Sequence, residues 1–203
     1  MPNWCNNTIT IQGSTETVKT LWETANAVDS DNTEYGLLNA MVPMPEQLKD
    51  TTSPDPQPGQ ANYKGPQPKV DGFTNWYDWR VANWGVKWDV STEGLEFTDN
   101  GDGTATITGW FDSPWGPPLE AVSKFSEDMD GVHIELFYEE PGMAFVGCWD
   151  SEGGDDYYEY AGCDSNTIKD TVPEYLVDHF AIDERMSEWE QEEAEYEKEA
   201  DRA

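Results

Sequence analysis

Residues 7–28 read Asn7-Thr8-Ile9-Thr10-Ile11-Gln12-Gly13-Ser14-Thr15-Glu16-Thr17-Val18-Lys19-Thr20-Leu21-Trp22-Glu23-Thr24-Ala25-Asn26-Ala27-Val28, and their apolar period changes partway through. Up to Gln12 apolar and polar residues alternate, and Thr8 to Ile11 are all β-branched. That is a strand with one buried face. Gly13 turns the chain. Beyond it Val18, Leu21, Trp22 and Ala25 recur at helical spacing, the apolar face of a helix running to about Val28. Ser14 is placed to cap that helix, and Glu16 falls in its first turn, where the helix dipole favours an anion. A strand leading straight into a one-sided helix calls for a sheet with a helical layer on it.

The same reading extends along the chain. Leu37 to Pro45 is apolar and closes on Pro43-Met44-Pro45, an irregular segment. Residues 50–72 hold Pro54, Pro56, Pro58, Pro66 and Pro68 with Gly59, Gly65 and Gly72, an extended and mobile surface insertion. Thr74 to Asn83 predicts a short helix, and Val86–Val90 and Gly94–Phe97 predict strands. Asn100-Gly101-Asp102-Gly103 turns into a clear strand at Thr104–Phe111. Pro117 and Pro118 open a helix to about Met129. Strands follow at Val132–Glu139, Met143–Trp149 and Tyr157–Ala161, separated by Pro141-Gly142 and Glu152-Gly153-Gly154. Ile168 to Phe180 predicts a helix with Pro173 at a helix start. The pattern is α+β: an antiparallel sheet with helices on one face, and Trp22 and Phe125 buried between the layers.

The 203 residues include 42 acidic and 11 basic side chains, a net charge of −31. Residues 101–203 hold 28 acids and 5 bases, net −23; residues 1–100 hold 14 and 6, net −8. A surface this negative repels phosphate backbones and anionic lipid, and attracts basic protein surfaces. Hydrophobic residues are 36%, offset by 10 Trp, 9 Tyr and 7 Phe. Each buried aromatic removes on the order of 150–250 Å² from water, so such a chain folds despite its charge. No signal peptide and no membrane-length apolar run is read. Cys5, Cys148 and Cys163 form no CxxC pair, which suits a reduced cytoplasmic protein, with a Cys148–Cys163 disulfide as the alternative.

Three segments carry a resemblance: Pro2-Asn3-Trp4-Cys5-Asn6-Asn7, Val42-Pro43-Met44-Pro45-Glu46, and Asn75-Trp76-Tyr77 through Asn83-Trp84-Gly85-Val86-Lys87-Trp88-Asp89. With Trp110 to Pro118 they resemble the YubB-type ferredoxin-like family of plasmid and bacteriophage proteins over roughly residues 2–160. The resemblance implies a ferredoxin-like fold, a mobile genetic element as home, and no assigned activity. It implies no iron–sulfur cluster, and three dispersed thiols do not supply the four that such a cluster usually takes. The domain is placed at 1–162, with the 50–72 insertion. Residues 163–203 form an acidic helical extension, where Met186, Trp189 and Tyr196 make a narrow apolar stripe.

Candidate chemistry is sparse. Trp76, Trp79, Arg80, Trp84, Lys87 and Trp88 suggest either a stacking face for a base or peptide, or core packing with a cation over a ring. Asp99 to Thr104 looks like a fragment of a calcium loop, but its twelfth position is Trp110 and its flanks are strands, so it reads as a hairpin turn. His133 and His179 lie near no recognisable nucleophile motif. No metal site, cofactor or catalytic residue is assigned. From Asp183 onward there are 10 acids and 3 bases. Glu188, Glu190, Glu192, Glu193, Glu195, Glu197 and Glu199 on a helix rising about 1.5 Å per residue approach the charge density of B-DNA, one charge per roughly 1.7 Å. The expectation is a non-enzymatic protein of the host cytoplasm that blocks a basic, nucleic-acid-binding host protein. These acids, with Asp150, Glu152, Asp155, Asp156 and Glu159, would form the contact. The alternatives are a peptide- or small-molecule-binding module built on the Trp face, and a solvated tail that serves solubility.

Overall fold

The structure, a computed structural model, describes residues 3–28 and 35–200, and for residues 197, 199 and 200 the backbone alone. Strand β1 (Trp4–Ser14) alternates along its whole length. Cys5, Asn7, Ile9 and Ile11 face a packed core, while Trp4, Asn6, Thr8, Thr10 and Gln12 face the other way. It runs directly into helix α1 (Thr15–Ala25), where Ser14 Oγ accepts the Thr17 amide at 3.2 Å and Val18, Leu21 and Ala25 are buried. The side-chain amide of Asn26 donates to Trp22 O at 2.8 Å and closes the last turn before Val28.

The remaining strands are β2 (Leu95–Asp99), β3 (Thr104–Pro114), β4 (His133–Glu140), β5 (Phe145–Asp150) and β6 (Gly154–Glu159). They form one antiparallel sheet in the order β2-β3-β1-β4-β5-β6. With a helix between β3 and β4 (Leu119–Asp128), the unit β1-helix-β2-β3-helix-β4 and its order β2-β3-β1-β4 make a ferredoxin-like fold, which β5 and β6 widen as a meander. One face is covered by α1 and the Leu119–Asp128 helix. There Ile9, Ile11, Leu21, Ile107, Phe125 and Leu136 share a core; Phe125 is buried, and Trp22 is half-buried against Phe97.

Two departures from the sequence reading have one cause. Leu37–Met41 is helix α2 rather than irregular, and Val86–Val90 forms no strand. Asp89 turns inward and caps α2 from afar. Its Oδ1 accepts the Leu38 amide at 2.8 Å and its Oδ2 the Asn39 amide at 3.0 Å. Helix α3 (Trp76–Trp84) starts on Asn75, whose Oδ1 accepts the Asp78 amide at 2.9 Å, and ends at Gly85 in the left-handed region. In order, the Leu119–Asp128 helix is α4. The 50–72 segment is tied to the start of α3: Asp55 Oδ1 accepts from Gln67 at 2.8 Å and Asn75 at 2.9 Å.

The C-terminal residues cover the opposite face of the sheet over β4 and β5. Val172 is extended before Pro173, as a residue preceding proline prefers, so the predicted 168–180 helix is two: α5 (Ile168–Thr171) and α6 (Glu174–Phe180). Helix α7 (Ile182–Ala200) follows. Ile168, Val172, Leu176, Val177 and Ile182 make a second core with Val146 and Tyr160, against Phe137 and Cys148. Among the described residues no helix is long and apolar enough to cross a membrane.

Candidate interaction surfaces

Helix α7 is fixed at its base and bare beyond it. Ile182 is buried. Arg185 Nη2 lies 2.5 Å from Oε1 of Glu139, a carboxylate of β4 that is 1% exposed. The phenol of Tyr160 donates to the same oxygen at 2.7 Å. Glu190 is spent on structure: its two oxygens accept from the Ser165 amide at 2.9 Å and hydroxyl at 2.7 Å. Lys169 Nζ gathers Asp178 at 2.9 Å, Asp183 at 3.1 Å and Glu174 at 3.7 Å, and so joins α5 to α6 and α7. Hydrogen bonds to Asp178 and Asp183 hold its ammonium charged well above the usual lysine range.

Farther out, residues 191–196 are exposed throughout. Glu188, Glu192, Glu193 and Glu195 are exposed and make no ion pair among the described residues. The side chains of Glu197 and Glu199 lie outside the described residues. Of the apolar stripe, Met186 packs against the second core, while Trp189 and Tyr196 are exposed.

The carboxylates of the β5–β6 hairpin are divided by strand alternation. Asp156 lies on the face that carries α5 to α7; Asp155 and Glu159 lie on the other. Asp155 accepts the Tyr138 hydroxyl at 2.6 Å, and Glu159 the Tyr157 hydroxyl at 3.2 Å. Asp150 caps its own turn, its Oδ1 taking the amides of Glu152 and Gly153 at 2.8 and 2.9 Å. Glu152 is exposed at the tip. These five acids therefore do not form one face with α7, because a period of two places neighbours on opposite sides.

The predicted Trp face is also redistributed. Trp79 and Trp84 are core residues in edge-to-face contact at 5.8 Å, and Trp84 Nε1 donates to Val42 O at 2.8 Å. The helical period turns them inward. The Arg80 guanidinium sits over Trp76 at 5.2 Å and over Trp84 at 4.7 Å, and burial pushes its pKa down. Lys87 Nζ lies 4.0 Å over the ring of Trp88. Trp88 itself is exposed, and it meets Trp4 and Trp110 at the sheet edge.

Those residues line a groove at the sheet edge. The last β2–β3 pair is Leu95–Gly109, so residues 110–114 of β3 have no strand on that side. The 88–94 loop crosses there instead, and the Trp110 amide donates to Gly94 O at 3.0 Å. The gap is a groove of about 290 Å³ lined by Trp4, Trp88, Trp110, Asp89, Glu93 and Asp112. Trp4 and Trp88 are 6.0 Å apart and tilted by 35°. Trp110 is 63% exposed. Parity could have found these residues: Trp4 is out of phase with Cys5, Ile9 and Ile11, and Trp110 with Ala105, Ile107 and Phe111. Asp89, in the groove wall, has its carboxyl pushed up to about 6 by burial, against the opposing pull of its amide hydrogen bonds and Arg80.

His133 joins two neighbours at the start of β4. Its Nδ1 lies 3.1 Å from Ser151 Oγ and its Nε2 3.3 Å from Asp150 Oδ2. The three residue types match a hydrolase triad, but the surroundings serve the turn. Ser151 Oγ accepts the Ile134 amide at 3.1 Å, and the nearby Glu152 and Gly153 amides are taken by Asp150 rather than left for an oxyanion. The three cysteines are not disulfide-bonded. Burial, reinforced by Glu135 and Asp150, pushes the Cys148 thiol up to about 12, and burial likewise raises Cys5. Among the described residues no group of three His, Cys, Asp or Glu side chains could hold a metal ion.

With the sheet order established, comparison with known proteins adds a family. Residues 84–201 match the ferredoxin-like domain in Api92-like proteins. The chain belongs to this family. The Api92-like match runs from the end of α3 through α7, so it takes in the acidic helix. A crystal structure of protein api92 from Yersinia pseudotuberculosis is similar at 25% identity, covering 46% of this chain and 33% of that one, with a TM-score of 0.31. The chain thus spans about a third of the length of that Api92 structure. No curated protein matches.

Proposed function

We propose that this Api92-like chain is a non-enzymatic protein of a phage or plasmid that acts in the host cytoplasm. It binds the basic, nucleic-acid-binding surface of a host protein and competes there with the nucleic acid. The observation that carries the reading is helix α7. It is held by Ile182, Arg185 and Glu190, and it presents Glu188, Glu192, Glu193 and Glu195 to solvent without ion pairs among the described residues. Unneutralised carboxylates on an anchored rod raise the encounter rate with a cationic surface. The resemblance to plasmid and phage proteins supports the setting. The commitment of Ser151 and Asp150 to the turn supports a role without catalysis.

The test is competitive capture. The immobilised protein is exposed to host lysate with and without duplex DNA, beside a variant carrying Gln at positions 188, 192, 193 and 195. The reading expects a nucleic-acid-binding protein that DNA displaces, that the variant captures at least tenfold less well, and whose retention falls steeply with salt. A captured partner that DNA leaves in place, or that the variant holds equally across a salt series, overturns it.

A further inference from the structure

We infer that the groove between Trp4, Trp88 and Trp110 is a second contact site that takes an arginine side chain of the protein partner. The inference rests on the reading that the partner is a basic protein, and it adds an anchor of defined shape to a diffuse electrostatic attraction.

Three observations converge. First, three tryptophans that the strand pattern turns away from the core, or that the 88–94 loop carries outward, meet in one groove. Trp4 is 44%, Trp88 39% and Trp110 63% exposed. Indole faces are the best aromatic partners for a cation, and a cluster of them left in water marks a binding surface. Second, the groove carries two carboxylates that form no ion pair with the described residues of this chain. Glu93 and Asp112 are exposed and make no ion pair among the described residues, whereas Asp89 is already occupied with the Leu38 and Asn39 amides. Third, the chain itself uses its indoles this way nearby: Arg80 over Trp76 and Trp84, and Lys87 over Trp88, which leaves the exposed Trp110 as the ring for an incoming cation to stack on.

Arginine fits better than lysine. A guanidinium is planar and less strongly hydrated than an ammonium, so it can stack on one indole while its N–H groups reach outward to carboxylates. The groove of about 290 Å³ suits a single long side chain. Its fixed shape also depends on glycine: a Cβ at Gly94 would lie 2.2 Å from Trp110 O and 3.2 Å from the Trp110 ring.

The test uses capped peptides Gly-Gly-X-Gly-Gly with arginine, lysine or citrulline at X, followed through the indole N–H signals of the folded protein by NMR. The arginine peptide should shift the signals of Trp4, Trp88 and Trp110 and leave those of the buried Trp79 and Trp84 unmoved. Citrulline, which keeps the shape and loses the charge, should bind at least fivefold more weakly. Trp110→Ala should weaken the arginine peptide by about 2- to 5-fold, and Asp112→Asn in an intact groove should weaken it in the same direction. Equal binding of citrulline, equal binding of lysine, or shifts confined to Trp189 would each overturn the assignment. The same titration on the variant with Gln at 188, 192, 193 and 195 separates the two readings. Unchanged peptide binding there supports the groove whatever becomes of α7, and lost binding places the cation on α7 and overturns the groove.

Discussion

Arg185 of α7 donates through Nη2 to Oε1 of Glu139 on β4, which ties a largely exposed helix to one of the most buried carboxylates among the described residues. Burying a carboxylate is costly unless it is paired, and Glu139 has two partners on Oε1 while its Oε2 accepts no hydrogen bond among the described residues. Arg185 is half-exposed, so the attraction itself is partly screened. Removing it nevertheless strands a buried charge. Arg185→Met should destabilise the fold by about 1–3 kcal/mol in urea unfolding. Adding Glu139→Gln removes the charge while leaving an acceptor for Tyr160, and should recover part of the loss. A double variant no more stable than Arg185→Met would show that the pair does not govern the cost.

Gly36 offers a second test. Its φ is +82° and ψ +161°, a region open essentially to glycine. A Cβ there would also fall 2.4 Å from Cγ of Asp89 and disturb the remote cap of α2. Gly59 has a similar positive φ of +96° with nothing nearby to meet a Cβ. Gly36→Ala should therefore lose about 1–3 kcal/mol from backbone strain plus a further loss from the displaced cap, and Gly59→Ala only the strain. Equal losses by chemical denaturation would remove Asp89 from the explanation.

Much of this architecture was readable and some of it was not, for physical reasons. The period-two runs of β1, β3 and β4 and the period-3.6 run of α1 are local, and local patterns gave the sheet and its first helical layer. Helix α2 depends on a cap 51 residues away, a partner that no window around Leu37 contains. Among the tryptophans, Trp79 and Trp84 take the core-packing alternative, with Arg80 over the Trp84 ring, whereas Trp4 and Trp110 are far apart in sequence and meet only in the folded groove. Helical phase sends Trp79 and Trp84 inward, and strand phase sends Trp4 and Trp110 outward. The acids of 150–159 are neighbours in sequence, and strand alternation splits them between two faces. Glu190 could not be told from its neighbours, since its role comes from Ser165 in a preceding loop.

Asp89 gives a pH signature with a definite sign. Burial raises its folded-state pKa from 3.8 to about 6, so the folded protein holds that proton more tightly than the unfolded chain does. The stability this group contributes is fully present below 3.8 and is lost as pH rises through about 6. Asp89→Asn mimics the protonated form, keeping one acceptor for Leu38 and Val90. The variant's stability relative to the parent should improve by about 1 kcal/mol between pH 5 and pH 7. A difference that is flat across that range, or that moves the other way, would show that the carboxyl titrates at its ordinary value.

The last prediction separates the folding of α7 from its use. Glu184 and Glu188, and Glu188 and Glu192, lie four apart, and Glu190–Glu193 and Glu192–Glu195 three apart. Like charges at these spacings oppose the helix by about 0.2–0.5 kcal/mol each. Glutamine matches glutamate in size and nearly in helix propensity, so Gln at 188, 192, 193 and 195 relieves all four pairs while sparing Glu190 and its bonds to Ser165. The variant should be at least as helical as the parent at neutral pH by circular dichroism, and no less stable to urea. If the same substitutions that strengthen the helix weaken capture of a basic partner, then the carboxylates are held in α7 against their own repulsion for the sake of binding. If they instead destabilise the fold, the four glutamates support the structure, and loss of capture in that variant would say nothing about a charged contact surface.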